Sequence, residues 1–162
     1  AGVINEVAVD GADVVLLSVP FEGLRPTATQ LCDRLAGKLV ISIVAPLAFV
    51  DGQMKALTVE EGSAGELTRD LLPQCRVASA FQNLSARDLL RPDQALIGDV
   101  AVCSDDSSAR ADAMHLASDL PGLRAVDAGP MSNSRYIEEL TALLININKI
   151  HKAHSTIQFL GI

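Results

Sequence analysis

The chain has 162 residues, 49% of them apolar and only 3% aromatic, which is enough for one domain with a core built from Ala, Val, Leu and Ile. A formal net charge of -7 with scattered Lys and Arg argues against a nucleic-acid footprint, and no apolar run reaches the roughly 20 residues that span a bilayer. Cys32, Cys75 and Cys103 are odd in number, far apart and without CxxC spacing, which fits free thiols in a reducing cytoplasm better than a disulfide framework or a zinc site.

Ala1 to Asp10 reads as a loop and a helix end, and Asn5, Glu6 and Asp10 interrupt any signal-peptide pattern. Val14 to Val19 is apolar on both faces, as a central parallel strand is, and Pro20 stops it. Leu24 to Ala36 predicts a helix with Leu24, Leu31 and Leu35 inward, capped by Gly37. Lys38 to Val44 is a second buried strand, ended by Ala45-Pro46, and the stretch DGQMKALTVEEGS after it has no clear assignment. Ala64 to Leu72 predicts a short helix, and Arg76 to Phe81 a third strand. Ser85 can cap a helical turn that Arg91-Pro92-Asp93 breaks. Asp99 to Cys103 is a fourth strand. Asp105, Asp106 and Ser107 offer N-caps for a helix through Ser118, and Leu123 to Asp127 is a fifth strand.

Beyond Asp127 the chain turns through Ala128, Gly129 and Pro130, passes Ser132-Asn133-Ser134-Arg135 and becomes a long apolar helix. Ser132, Asn133 and Ser134 are good N-caps, and Glu138 and Glu139 read as first-turn acids. Ile137, Leu140, Leu144 and Ile147 line one face, and Tyr136, Leu143 and Ile150 a second. A helix apolar on so much of its circumference is buried on two sides, the second against another subunit. Ile157 to Ile162 reads as a last short strand. Alternating strands and helices predict an α/β fold: a Rossmann-like doubly wound, mainly parallel sheet in a single domain spanning 1–162.

Four stretches carry a resemblance: ADVVLLSVPFE at 12–22, VASAFQNLSA at 77–86, DVAVCSDD at 99–106 and VDAGPMSNSRYIEELTALLININ at 126–148. In this order they resemble the NADPH-dependent coenzyme F-420 (8-hydroxy-5-deazaflavin) reductases, cytoplasmic enzymes that pass a hydride between NADP and the deazaflavin. The resemblance implies NADP and coenzyme F-420 as cofactors, direct hydride transfer and no residue acting as general acid or base. It puts Ser18, Val19, Pro20, Phe21 and Gly23, with Pro46, Leu47 and Ala48, beside the nicotinamide. It puts Gln82 and Ala86 at the cofactor junction, and Asn83, Ser132, Asn133 and Arg135 nearer the deazaflavin. Where much of that family has His, this chain has Gln82, which hydrogen-bonds but cannot carry a proton near neutral pH.

A dinucleotide site of this class needs a first strand and G-x-G-x-x-G at a helix N-terminus, and these residues do not contain the motif. By the resemblance Ala1 falls about a quarter of the way into the family's chain, so a fragment is expected, with poor NADP binding on its own. His151 and His154 have a spacing that could hold a metal, but no third ligand is in view, and the helix dipole explains them. Asp105-Asp106 reads as capping and Cys103 as core. Two rival readings remain: a related NADPH-dependent flavin or metal reductase domain, and a non-enzymatic homologue acting as a dimeric binding module. The partners expected are small-molecule cofactors and a second copy of the chain, with neither nucleic acid nor membrane.

Overall fold

The computed structural model describes residues 2–91 and 96–162. The break expected at Pro92-Asp93 lies outside them. Strands β1 (Val14–Leu17), β2 (Leu39–Ser42) and β5 (Arg76–Ser79) form a parallel sheet in the order β1-β2-β5, with Leu16, Ile41 and Ala78 in register. Strands β6 (Gly98–Val102) and β7 (Leu123–Asp127) pair parallel to each other. Helices α2 (Phe21–Leu35) and α3 (Ala64–Leu71) bury Leu24, Ala28, Leu31 and Leu67 on one face of the sheet. Helix α5 (Ser107–Ser118) buries Ala109, Ala113 and Ala117 on the other. The expected doubly wound, mainly parallel α/β architecture is what the chain adopts.

Three local expectations change. First, β6 and β7 run opposite to β1, β2 and β5. Ser79 and Cys103 exchange both backbone bonds as an antiparallel bridge, at 2.8 and 3.0 Å, and Asn83 Nδ2 reaches Asp99 O further along. The only described helix between β5 and β6 is α4 (Ala86–Leu89), too short to carry a parallel crossover. The chain therefore returns directly, and the turn after Asp127 brings Met131 and Ser134 against Gly65 at the start of α3, beside Ser79 at the end of β5. Second, the chain after Pro46 forms regular structure, and Leu47 and Ala48 begin a strand. Strands β3 (Leu47–Val50) and β4 (Gln53–Ala56) form a hairpin whose turn residues Asp51 and Gly52 have φ of 50° and 78°. Two adjacent positive φ values fit the turn that Asp-Gly favours between strands. Third, residues 157–162 form no strand. They are tied instead to Asp99, which donates its N–H to Ile157 O and accepts from Phe159 N and from Arg124 Nε and Nη2. The Arg124 guanidinium holds the Asp99 carboxyl below its ordinary range.

Two further details refine the sequence reading. Residues 5–10 form a complete short helix, α1 (Asn5–Asp10). Strand β1 pairs with β2 alone among the described residues, and Val14 and Leu16 are half exposed.

Helix α6 (Ser134–His151) is held by a carboxylate that periodicity alone places in its first turn. Glu138 is 1% exposed, and its oxygens accept from the backbone N–H of Ala64 and Gly65 at 2.9 and 3.0 Å. Those are open donors at the start of α3, where a helix attracts an anion. Ser134 Oγ donates to Ser63 Oγ and to Glu138 Oε1 and completes the cluster. Burial pushes the Glu138 pKa up, against the pull of these donors. Gly65 permits the close approach: a Cβ there would stand 2.6 Å from Ser134 Oγ and 2.9 Å from Met131 Sδ. Asn133, at the N-cap, makes no capping bond with its side chain. Of the two apolar faces, Ile137 and Leu144 are buried while Tyr136, Leu143 and Ile150 are exposed. Replacing Glu138 by Ala leaves two buried N–H groups without acceptors, so the expected loss in urea unfolding is roughly 2–3 kcal/mol. A loss within the scatter of surface substitutions would show that the cluster does not hold the helices together.

Candidate functional site

Helix α6 crosses the C-terminal ends of the parallel strands. Thr141 Oγ1 donates to Gln82 O, and Asn146 bonds both backbone groups of Met54, so the helix is tied to the 82–86 loop and to the hairpin. Between that loop, the second half of α6 and the turn after it lies a cavity of about 760 Å³. This is within the range of a small-molecule site. Thr141, Leu144, Ile145 and Asn148 form its helical wall at spacings i, i+3, i+4 and i+7.

The loop enters this cavity through a strained residue. Phe81 has φ of 72°, rare outside glycine, and turns the chain out of β5. Gln82 and Asn83 follow, 6% and 3% exposed. Gln82 Nε2 donates to Ser42 O and Ser79 Oγ, and Asn83 Nδ2 donates to Asp99 O. Backbone carbonyls only accept, so both amides are held with their nitrogens toward the protein. Gln82 Oε1 and Asn83 Oδ1 are left without a donor. Both oxygens are buried within the cavity wall, orphaned acceptors shielded from its open space.

A second cleft of about 320 Å³ adjoins the first and is almost wholly apolar. Leu16, Ser18, Ile43 and Phe81 line it, and Leu84 and Ala86 line both. The 84–86 segment is thus a wall shared by a polar and an apolar space.

The remaining sequence-predicted residues divide between this edge and elsewhere. Val19 lines a smaller pocket with Val9 and Leu17, Pro20 precedes α2, Phe21 packs on the core, and Gly23 N donates to Pro20 O at 2.8 Å. Pro46 is buried at the hairpin base, with Leu47 and Ala48 half-buried beyond it. Ser132 is exposed, and Asn133 Nδ2 donates to Ala128 O at 2.7 Å. Arg135 is near Glu139, lies over the Tyr136 ring and lines a separate pocket with Thr58 and Val59. The structure brings Gln82, Asn83, Ala86 and Ser18 to the paired cavities, and leaves Ser132, Asn133 and Arg135 apart from them.

Sequence reasoning missed Thr141, Asn148, Lys149 and Lys152 as lining residues. The helical spacing of Thr141 and Asn148 was the available signal. His154 Nδ1 pairs with Asp88 Oδ1 at 2.7 Å, and that bond pulls the Asp88 carboxyl below its ordinary range. No group of three metal-ligating side chains occurs among the described residues. Burial pushes the thiol of Cys75 up to about 11 and that of Cys103 up to about 12, so neither forms a thiolate nucleophile near neutral pH.

A sheet of this order, helix-covered on both faces and with cavities at its C-terminal edge, defines a Rossmann-like α/β protein. Its first 46 residues match the family model described as "NADP oxidoreductase coenzyme F420-dependent". The chain is 38% identical over 157 residues to the F420-dependent NADP reductase of Methanocaldococcus jannaschii, covering 96% of this chain and 70% of that protein. It is 36% identical to the reductase of the same name from Methanothermobacter thermautotrophicus, of which it spans 65%. A crystal structure from Arthrobacter sp. FB24, provisionally named as such a reductase, superposes with a TM-score of 0.83 at 21% identity, over 97% of this chain and 73% of that one. A hypothetical protein of Sinorhizobium meliloti superposes with a TM-score of 0.66 at 27% identity, over 80% and 62%. The chain belongs to the F420-dependent NADP reductase family.

Proposed function

We propose that this chain serves the exchange of a hydride between NADP(H) and coenzyme F420. The observation that carries the reading is the pair of cavities sharing the 84–86 wall at the strands' C-terminal edge. Two cofactors must meet face to face, and this edge offers two adjoining spaces of opposite polarity. When both are bound, the cofactors supply the redox chemistry themselves, and the protein contributes stacking, distance and a dry cleft.

In this reading the nicotinamide lies over the strand ends at Ser18, Val19, Pro20, Phe21 and Gly23, with Pro46, Leu47 and Ala48 across from them. The deazaflavin occupies the larger cavity against Gln82, Asn83 and Ala86. The fit rests on the lining: polar groups of Ser85, Thr141 and Asn148 suit ring heteroatoms, while Leu144 and Ile145 would cover an apolar ring face. Gln82 moves no proton. Ser132, Asn133 and Arg135 line neither cavity, and the family resemblance alone puts them nearer the deazaflavin.

Two features of setting belong to the same proposal. The protein acts in the cytoplasm, which agrees with free thiols and with the absence, among the described residues, of a helix long and apolar enough to cross a membrane. It works as a homodimer, supported by Tyr136, Leu143 and Ile150 on one exposed stripe of α6.

Mixed without oxygen with coenzyme F420 and saturating NADPH, which offsets the poor NADP binding expected of these residues alone, the protein is expected to bleach the coenzyme's visible absorbance. FAD in its place is expected to react slower by at least about tenfold, about 1.4 kcal/mol of barrier. Equal rates would favour a flavin reductase, and no turnover with either would favour a binding module. Light scattering is expected to give a dimer that Leu143→Glu with Ile150→Glu converts to monomer. A wild-type monomer, or a dimer indifferent to both changes, would remove the α6 interface.

A further inference from the structure

The larger cavity is charged in a way that the chain as a whole is not. The protein carries 20 Asp and Glu against 13 Lys and Arg. Arg87, Lys149 and Lys152 nonetheless line this cavity, and no acidic residue does among the described residues. The nearest acid in contact with the group, Asp88, is taken up by His154. Cations in the last turn of a helix offset its dipole, which accounts for Lys149 and Lys152 by themselves. It does not account for Arg87, which comes from α4 on the facing wall. Cations that converge from two elements on one concave space raise the local concentration of anions there.

The three are not equivalent. Lys149 Nζ is anchored on Gly52 O at 2.6 Å and lies over the Phe49 ring, so its charge is fixed at the hairpin side. Lys152 sits at the α6 C-cap in the left-handed region, φ 50°, which projects the chain out of the helix at the cavity rim. Neither Lys152 nor Arg87 takes part in an ion pair among the described residues. The two therefore have charge available for a ligand, and they stand at the end of the cavity away from the buried amides Gln82 and Asn83.

We infer that this rim is an anion subsite that holds the phosphate-and-carboxylate chain of the deazaflavin coenzyme, with Arg87 and Lys152 as its principal contacts and Lys149 as fixed background charge. The inference rests on the deazaflavin occupying the larger cavity. The ring end then faces neutral acceptors and apolar side chains, the chain end faces cations, and the two ends of the cavity match the two ends of one amphiphilic molecule.

The test is binding, followed by deazaflavin fluorescence, of two probes: coenzyme F420 with its full anionic chain, and the corresponding deazaflavin riboside that lacks phosphate and glutamate. Arg87→Glu combined with Lys152→Glu is expected to weaken F420 at least about tenfold and the riboside less than about twofold. Added salt is expected to weaken F420 binding to the wild type and to leave the riboside nearly unchanged. Equal effects on both probes, or no effect on F420, would overturn the subsite and leave the ring site standing. If the wild type bound neither probe, both the subsite and the assignment of the cavity would fall. Because Arg87 and Lys152 are exposed, the double variant is expected to fold, and the wild-type salt series decides the matter without it.

Discussion

The structure depends on one buried carboxylate at the start of another helix. Helix α3 begins with N–H groups that its own cap, Ser63 to Glu66 N, satisfies only in part. Ala64 and Gly65 are served by Glu138, 74 and 73 residues further along the chain. A charge at 1% exposure is tolerated only where donors surround it, and here two backbone donors and a serine hydroxyl do. This contact fixes where α6 starts and, because a helix is rigid, where its later turns go. One turn on, Thr141 meets Gln82; further on, Asn146 meets the hairpin and Lys149 its turn. The cavity is the space left between a helix located in this way and a loop that leaves β5 through Phe81.

Chemistry at that space is a matter of positioning. Burial keeps the thiols of Cys75 and Cys103 protonated, Gln82 carries no titratable proton, and Glu138 is committed to α3. What the edge offers instead is shape: an apolar cleft, a polar cavity, and a shared wall of small side chains. Such a site suits cofactors that carry their own redox chemistry and need only to be brought together. The low aromatic content of the chain is consistent with walls made of backbone and small residues.

Much of the fold was legible in the sequence because its signals were local. Buried strands read as unbroken apolar runs, Asp106 capped α5 as its position implied, and Leu123 to Asp127 was a strand to the residue. What could not be read was set by tertiary contacts. The reversal of β6 follows from a connection lacking a long helix, and strand runs carry no mark of direction. Asp51-Gly52 was a hairpin signal in plain sight, inside a stretch that carried no clear strand alternation. The polar group Ser132 to Arg135 looked like a ligand site because it follows a strand end; in the fold Asn133 and Ser134 direct their hydrogen bonds to Ala128, Ser63 and Glu138. Gln82, Asn83 and Ala86 came from the family resemblance. Their joint orientation needed Ser42, Ser79 and Asp99 from three different strands or strand ends. Glu138 was visible as a residue and invisible as a contact, since its partners lie more than 70 residues away.

The most direct measurement is a crystal structure of the protein with coenzyme F420 bound. The account predicts the deazaflavin ring between the 82–86 loop and the Thr141–Asn148 face of α6. A ring found instead beside Arg135 and Ser132, with the cavity under α6 filled only by water, would contradict it.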